Sequence, residues 1–189
     1  MDVLEFADAD AWDAWLQEHH DTETEAFVRI RRKSVDLPLI AFEDALDTAL
    51  CHGWIDSIGR RLDDVSTLQR FSPRRPTSAW SRVNVAKIEQ LEAQGRLRAG
   101  GIAQVEAARA DGRWAAAYPP QSAGEVPPEL AAALDASPVA RAAFDALRRS
   151  DQYAIELPIF KSRSPESRTR LAARAVERLS RPSGPASAE

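Results

Sequence analysis

Apolar positions change their period several times along the chain, and each change marks an element. Trp12, Trp15 and Leu16 recur at i, i+3, i+4, which predicts an amphipathic helix starting at Asp8 or Asp10 and running to about His20. His19 falls on that stripe and reads as a histidine at the core edge. Residues 25–33, EAFVRIRRK, alternate instead. Val28 and Ile30 take one face, Arg29 and Arg31 the other, as in a half-buried strand. Helical spacing returns over 42–52, where Phe42, Ala45, Leu46, Ala49 and Leu50 share one arc and Gly53 supplies the C-cap. WIDSIGRRL (54–62) and TLQRF (67–71) read as two strands joined by the turn-prone DDVS. SAWSRVNVAKIEQLEAQG then predicts a helix capped near Ser78 or Ser81 and stopped at Gly95, with another helix over about 99–110.

Periodicity lapses over residues 112–128, GRWAAAYPPQSAGEVPP, a composition that predicts a linker. Beyond it the pattern is helical. Pro127 or Pro128 opens one helix, and Ser137–Pro138 and Ser164–Pro165 open two more with serine as N-cap and proline at the first helical position. Residues 150–161 predict a helix that Pro158 kinks or ends near Leu157. The predicted class is α+β: a small antiparallel β-sheet from roughly 25–33, 54–62 and 67–72, packed by helices and followed by a helical C-terminal module. The domain reading is an α+β domain over 1–111, a linker over 112–128, the helical module over 129–181 and a disordered tail over 182–189.

Composition narrows the class. Hydrophobic residues make up 44 % and charged residues 29 %, as in an ordinary soluble globular chain. No apolar run approaches the roughly 18 residues that a membrane span needs. The acidic N-terminus, MDVLEFADADAWDAW, lacks the basic and apolar regions of a secretory signal, so the expected location is cytoplasmic. Cys51 stands alone, which excludes an intrachain disulfide and fits a reducing compartment. The net charge of −4 is unevenly spread: residues 1–66 hold 16 acidic against 6 basic residues, and residues 67–189 hold 13 against 19. Only Lys33, Lys87 and Lys161 are lysines. Arginine suits bidentate pairing with carboxylate or phosphate, either between the two halves or with an external anion.

Three polar positions break the apolar pattern. Period-two alternation puts Asp56 on one strand face between Trp54 and Ile58, where its carboxylate needs a cationic or hydrogen-bonded partner; Arg70, Arg74 and Arg75 are the candidates. Asn84 falls within the arc set by Trp80, Val83, Ile88 and Leu91 and needs backbone, side-chain or ligand partners. Cys51 lies opposite its helix's apolar arc, beside Asp44 and Asp47 at a helix C-terminus. That setting disfavours a thiolate and points to packing against a second layer.

The densest polar stretch is QRFSPRRPTSAWSRVN, residues 69–84. Arg70, Arg74 and Arg75 precede a helix start that Ser78 or Ser81 caps, the physics of a phosphate or carboxylate site and equally of a clasp on the chain's own acids. The candidate ligand-binding set is Arg70, Arg74 and Arg75 as anion contacts, Asp56 and Asn84 as orienting groups, Trp54 and Trp80 as walls, and Ser78 beside them. Three histidines without metal-ligand spacing leave no metal site, and no nucleotide-binding or nucleophile motif implies a cofactor. One SPRR on an acidic chain argues against nucleic acid. The stripe Arg170, Arg174, Arg178 reads as a solvated or salt-bridged helix face.

EDALDTALCHGWIDSI followed by LQRFSPRRPTSAWSRVNVAKIEQL resembles the YdeI/OmpD-associated, bacteriocin-protection family, in which EALC-x-GWID precedes QRF-[ST]-PRR-x-x-S-x-W-S-x-x-N. KSRSPESRTR in the C-terminal part is similar to that family's K-R-P-E-T-R-like segment. His52 and Pro158 depart from the pattern. The resemblance implies bacteriocin protection, stress resistance and contact with an outer-membrane porin, and it implies no catalytic residues. The function expected is a cytosolic stress or resistance protein that binds a small anion or an acidic partner through the arginine-rich loop. The alternatives are an enzyme on a small anionic substrate with Asp56 as acid or base, and a protein-interaction module using the basic helices at 138–148 and 164–180.

Overall fold

The computed structural model describes residues 2–181, and the chain divides between Ala117 and Tyr118 into two compact units. The first unit runs β1 (Val3–Glu5), α1 (Ala9–His19), β2 (Ala26–Arg31), α2 (Phe42–Cys51), β3 (Trp54–Arg61), β4 (Ser66–Pro73), α3 (Arg82–Ala93) and α4 (Ala99–Ala110). Its sheet has the order β1-β2-β4-β3. β2–β4 and β4–β3 are antiparallel as expected, but β1 joins β2 in parallel, so the sheet is mixed. Three residues, VLE, are too short to show a period.

Local chemistry explains the element ends. Asp8 caps α1 by accepting the Ala11 N–H at 2.9 Å, and Gly53 adopts φ +79° just past α2. Of the two candidate serines, Ser81 caps α3, accepting the Asn84 N–H at 3.1 Å. Trp80 therefore lies before the helix and not on its wheel. The apolar arc recentres on Ile88 and Leu91, which leaves Asn84 half-buried inside it and Val83 46 % exposed.

The alternation expected along β3 fails at one place. Asp56 pairs with Phe71 and Gly59 with Gln69, so three steps on β3 match two on β4. The extra residue of this β-bulge flips side-chain parity. Trp54 is buried, whereas Ile58 and Leu62 are 74 % and 41 % exposed and Arg60 is exposed, so Asp56 is not flanked by an inward Ile58.

Trp12, Leu16, Val28, Ile30, Ala45, Leu50, Trp54 and Phe71 form the centre of this unit's core. Cys51 is buried as well and finds the expected second layer in α4. A Cβ on Gly101 would collide with the Cys51 carbonyl, and one on Gly100 would stand 2.6 Å from the His52 carbonyl oxygen.

The second unit contains a short 3-10 turn at Gln121–Ala123 and four helices, α5 (Pro128–Asp135), α6 (Pro138–Asp145), α7 (Arg149–Phe160) and α8 (Pro165–Ser180). Ser137 and Ser164 cap α6 and α8, each followed by its proline. Leu130, Leu134, Ala140, Phe144, Ile159, Ala172 and Ala175 form a separate core, in which α8 presents alanines to its neighbours. α7 continues through Pro158 to Phe160 and does not end at Leu157. Arg149 holds the fully buried Glu156 through two 2.7 Å bonds from inside the same helix, and Tyr153 donates to the Pro119 carbonyl at 2.9 Å. Within the stretch 112–128, Trp114 packs into the first unit's core and residues from Tyr118 onward belong to the second unit. The tail expected at 182–189 lies outside the described residues.

Candidate functional site

β3 and β4 bring the two conspicuous motifs side by side, with Trp54 opposite Pro73, Ile55 opposite Ser72 and Asp56 opposite Phe71. Arg74 then turns inward. Its N–H donates to the Gly53 carbonyl at 2.9 Å, its Nη1 donates to the Ala79 carbonyl at 3.1 Å, and its guanidinium lies 3.8 Å over the Trp80 ring. The stack goes on: Trp80 meets Trp114 at 5.0 Å, and Arg109, bidentate on Glu92, lies 5.0 Å over Trp114. Cation–π and aromatic contacts of this kind contribute about 0.5–1.5 kcal/mol each. Arg74 is only 5 % exposed, so its charge serves the junction between β4 and α3 and is not presented to an external anion.

The other expected contacts disperse. Arg70 donates its Nε to Glu25 Oε2 at 2.7 Å and its Nη1 to Ser57 Oγ at 3.1 Å, so its charge is already answered by the chain's own acid. Arg75 is exposed, and its carbonyl accepts the Ser78 N–H at 2.9 Å. Ser78 is half-buried, does not cap the helix, and offers its carbonyl to Arg113 Nη1 at 3.1 Å. Asn84 is half-buried on the first turn of α3. Burial raises the Asp56 carboxyl above its usual range, opposed by a bond from its own backbone and by the charge of Arg74. Trp54 donates its Nε1 to the His20 carbonyl at 3.2 Å and packs with Trp12 and Trp15, whereas Trp80 packs with Trp114. Arg74, Trp80 and the charge of Asp56 are thus gathered, while Arg70 and Trp54 face other partners.

A second polar cluster lies beside the C-terminus of α2. His52 Nε2 stands 2.8 Å from Asp13 Oδ1, Arg98 donates to Asp13 Oδ2 at 2.8 Å, and the His20 ring meets His52 edge-on at 5.5 Å. Burial pushes the adjacent Cys51 thiol up to about 11, which fits an unreactive cysteine. Among the described residues no group of three or more His, Cys, Asp or Glu side chains could hold a metal ion. No described helix is long and apolar enough to cross a membrane.

A hollow lies between the end of α1 and the β1–β2 edge. It measures about 430 Å³ and is lined by Leu4, Trp15, His19 and Phe27, with Asp2, Glu23 and Glu25 among its polar groups. His19 stacks on Trp15 at 4.5 Å with 6° between the planes, and its Nδ1–H donates to the Trp15 carbonyl at 2.7 Å. That bond fixes the ring and leaves Nε2 as the acceptor of the neutral imidazole. Three carboxylates and no lysine or arginine line the hollow; Glu25 is paired with Arg70, and Asp2 and Glu23 give it a charge opposite to that expected of the arginine loop. Sequence reading passed over it because Trp15 and His19 fit a core stripe and DTETE fits a loop. An indole and an imidazole one helical turn apart, followed closely by an acidic run, was the available signal.

Residues 4–104 match the model of a family described as a domain of unknown function (DUF8412), and residues 123–181 match that of the family described as Bacteriocin-protection, YdeI or OmpD-Associated. The likeness to the second family is thus shown on the C-terminal segment, whereas the GWID and QRFSPRR motifs fall within the first match. No curated protein and no solved structure matches the chain.

Proposed function

We propose a binding function for this chain, which belongs to the DUF8412 domain family and carries a bacteriocin-protection, YdeI or OmpD-associated module. Protection would come from capture of a cationic group, a primary ammonium or guanidinium such as a basic polypeptide presents, in the hollow between α1 and β1–β2. The observation that carries this reading is the pairing of an aromatic wall, Trp15 and Phe27, with carboxylates at Asp2 and Glu23, beside a Glu25 already paired with Arg70. The Trp15 indole is stacked by Trp12 and His19, so the ring offered to a cation is Phe27, where a cation gains about 0.5–1 kcal/mol, and a carboxylate beside it supplies a charge-assisted hydrogen bond. No covalent step is needed. The reading with an anion at the arginine loop retains one supporting observation, the exposed Arg75 just before α3. An enzyme using Asp56 has in its favour that burial raises that carboxyl.

One experiment separates the binding readings. The melting temperature is followed while tetralysine, inorganic phosphate and citrate are titrated separately. At a hundredfold excess over Kd a bound ligand adds about 2.7 kcal/mol of stability, a rise of several degrees. Tetralysine is expected to give that rise, Asp2→Asn with Glu23→Gln to remove it, and Arg75→Ala to leave it unchanged. A rise with phosphate or citrate alone, lost in Arg75→Ala, would replace the cation pocket by the arginine loop.

A further inference from the structure

We infer that the outer face of α8 docks an acidic α-helical segment of a protein partner, an inference independent of the pocket. Arg170, Arg174 and Arg178 are all exposed and follow one another at four-residue intervals, about 6 Å apart along the axis. The opposite side of α8 is committed to the core through the buried Ala172 and Ala175, with Leu171, Val176 and Leu179 packed beside them. The row is therefore held in place by the fold.

The rest of this unit shows what its arginines do when they serve the chain itself. Arg141 pairs with Asp135 at 2.6 Å, Arg149 with Glu156 at 2.7 Å, Arg168 with Glu129 at 2.6 Å and Arg181 with Glu177 at 2.6 Å. The row differs. Among the described residues Arg170 meets only the Ser167 hydroxyl, at 3.2 Å, and no carboxylate pairs with Arg174 or Arg178. Glu166, one turn before Arg170, is drawn instead to its own backbone N–H and to Ser164 at the helix start, which hold its carboxyl below the usual range. Like charges at this spacing destabilise a bare helix by about 0.2–0.5 kcal/mol per pair, and among the described residues no ion pair offsets that cost.

The chemistry of the row selects the partner. Guanidinium forks favour bidentate carboxylates, and a second helix with Asp or Glu at every fourth position repeats the same 6 Å step. Nucleic acid fits less well, because residues 118–189 hold 10 basic against 9 acidic residues and the whole chain is at −4. A bilayer fits less well too, since the apolar side of α8 is already buried.

The test uses the full chain and a fluorescent alanine-based helical peptide with glutamate at every fourth position, followed by anisotropy at low and at physiological salt. Surface ion pairs contribute about 0.2–1 kcal/mol each, so removing three with Arg170→Gln, Arg174→Gln and Arg178→Gln together should weaken binding about tenfold. Arg148→Gln, at a side chain 89 % exposed in the same unit, should leave it within about twofold of the wild type. Circular dichroism confirms that the triple variant keeps its helix. Wild-type affinity in the folded triple variant, absence of binding at low salt, or a short single-stranded DNA that displaces the peptide at lower concentration would each overturn the inference.

Discussion

His52 shows how a single buried group sets a response to pH. Burial drives its imidazole below the ordinary value, against the pull of the Asp13 carboxylate 2.8 Å away and with repulsion from His20 and Arg98. Its Nδ1 is buried without a hydrogen-bond partner, so a second ring proton would add a charge and an unanswered donor together. Burial also pushes Asp13 up, but bonds from His52, Arg98 and Gln17 outweigh it and hold that carboxyl below its range. Below about pH 6.5 the unfolded chain takes up a proton that the folded chain refuses, so stability falls as pH falls. The melting temperature should therefore drop from pH 7 to pH 5, and His52→Gln should flatten that slope whatever it does to the absolute value. A slope unchanged in the variant would remove His52 from the account. The same scale shows why the sequence left open whether Arg70 and Arg74 meet an external anion or the chain's own groups. Sequence displays a guanidinium but not the Glu25 carboxylate, 45 residues away, that answers Arg70.

At the scale of elements, the contact between α2 and α4 is set by close approach. Glycine in a helix is ordinarily about 1 kcal/mol worse than alanine, so a substitution at Gly101 would stabilise an exposed helix. Here the new methyl collides with the Cys51 carbonyl in a wall of backbone. Gly101→Ala is expected to destabilise by about 1–3 kcal/mol, as overpacking does, read as a lower denaturant midpoint with unchanged slope. A higher midpoint would show that α4 can move away. Elements themselves were largely legible. Helix starts at Ser137 and Ser164 and the glycine stop after α2 follow from contiguous residues, and the structure chooses Asp8 over Asp10 as the cap of α1. The bulge between Asp56 and Gly59 was not, because parity along a strand is fixed by the register of its partner. α7 likewise passes through Pro158, where burial of Glu156 and Ile159 on the same helix overrides a local breaker.

At the scale of the whole molecule, each unit has its own core, one around Trp12, Trp54 and Phe71, the other around Leu130, Leu134 and Phe144. Domains somewhat above 60 residues can fold alone when their core is well filled. A fragment spanning 118–181 is expected to keep a helical circular dichroism spectrum and to melt in one cooperative transition. A featureless or gradual melt would show that the second unit depends on the first. The family matches run the same way, with one model over 4–104 and another over 123–181.

Periodicity, caps and turns are written in neighbouring residues, so the sequence by itself determined the α+β class, nearly every element and the helical character of the second unit. Whether a charge is spent or available depends on what folding brings against it from far along the chain. Only the tertiary structure could decide that Arg74 lies under Trp80, that Arg70 is held by Glu25, and that Trp15, His19 and Phe27 surround a hollow edged with acid.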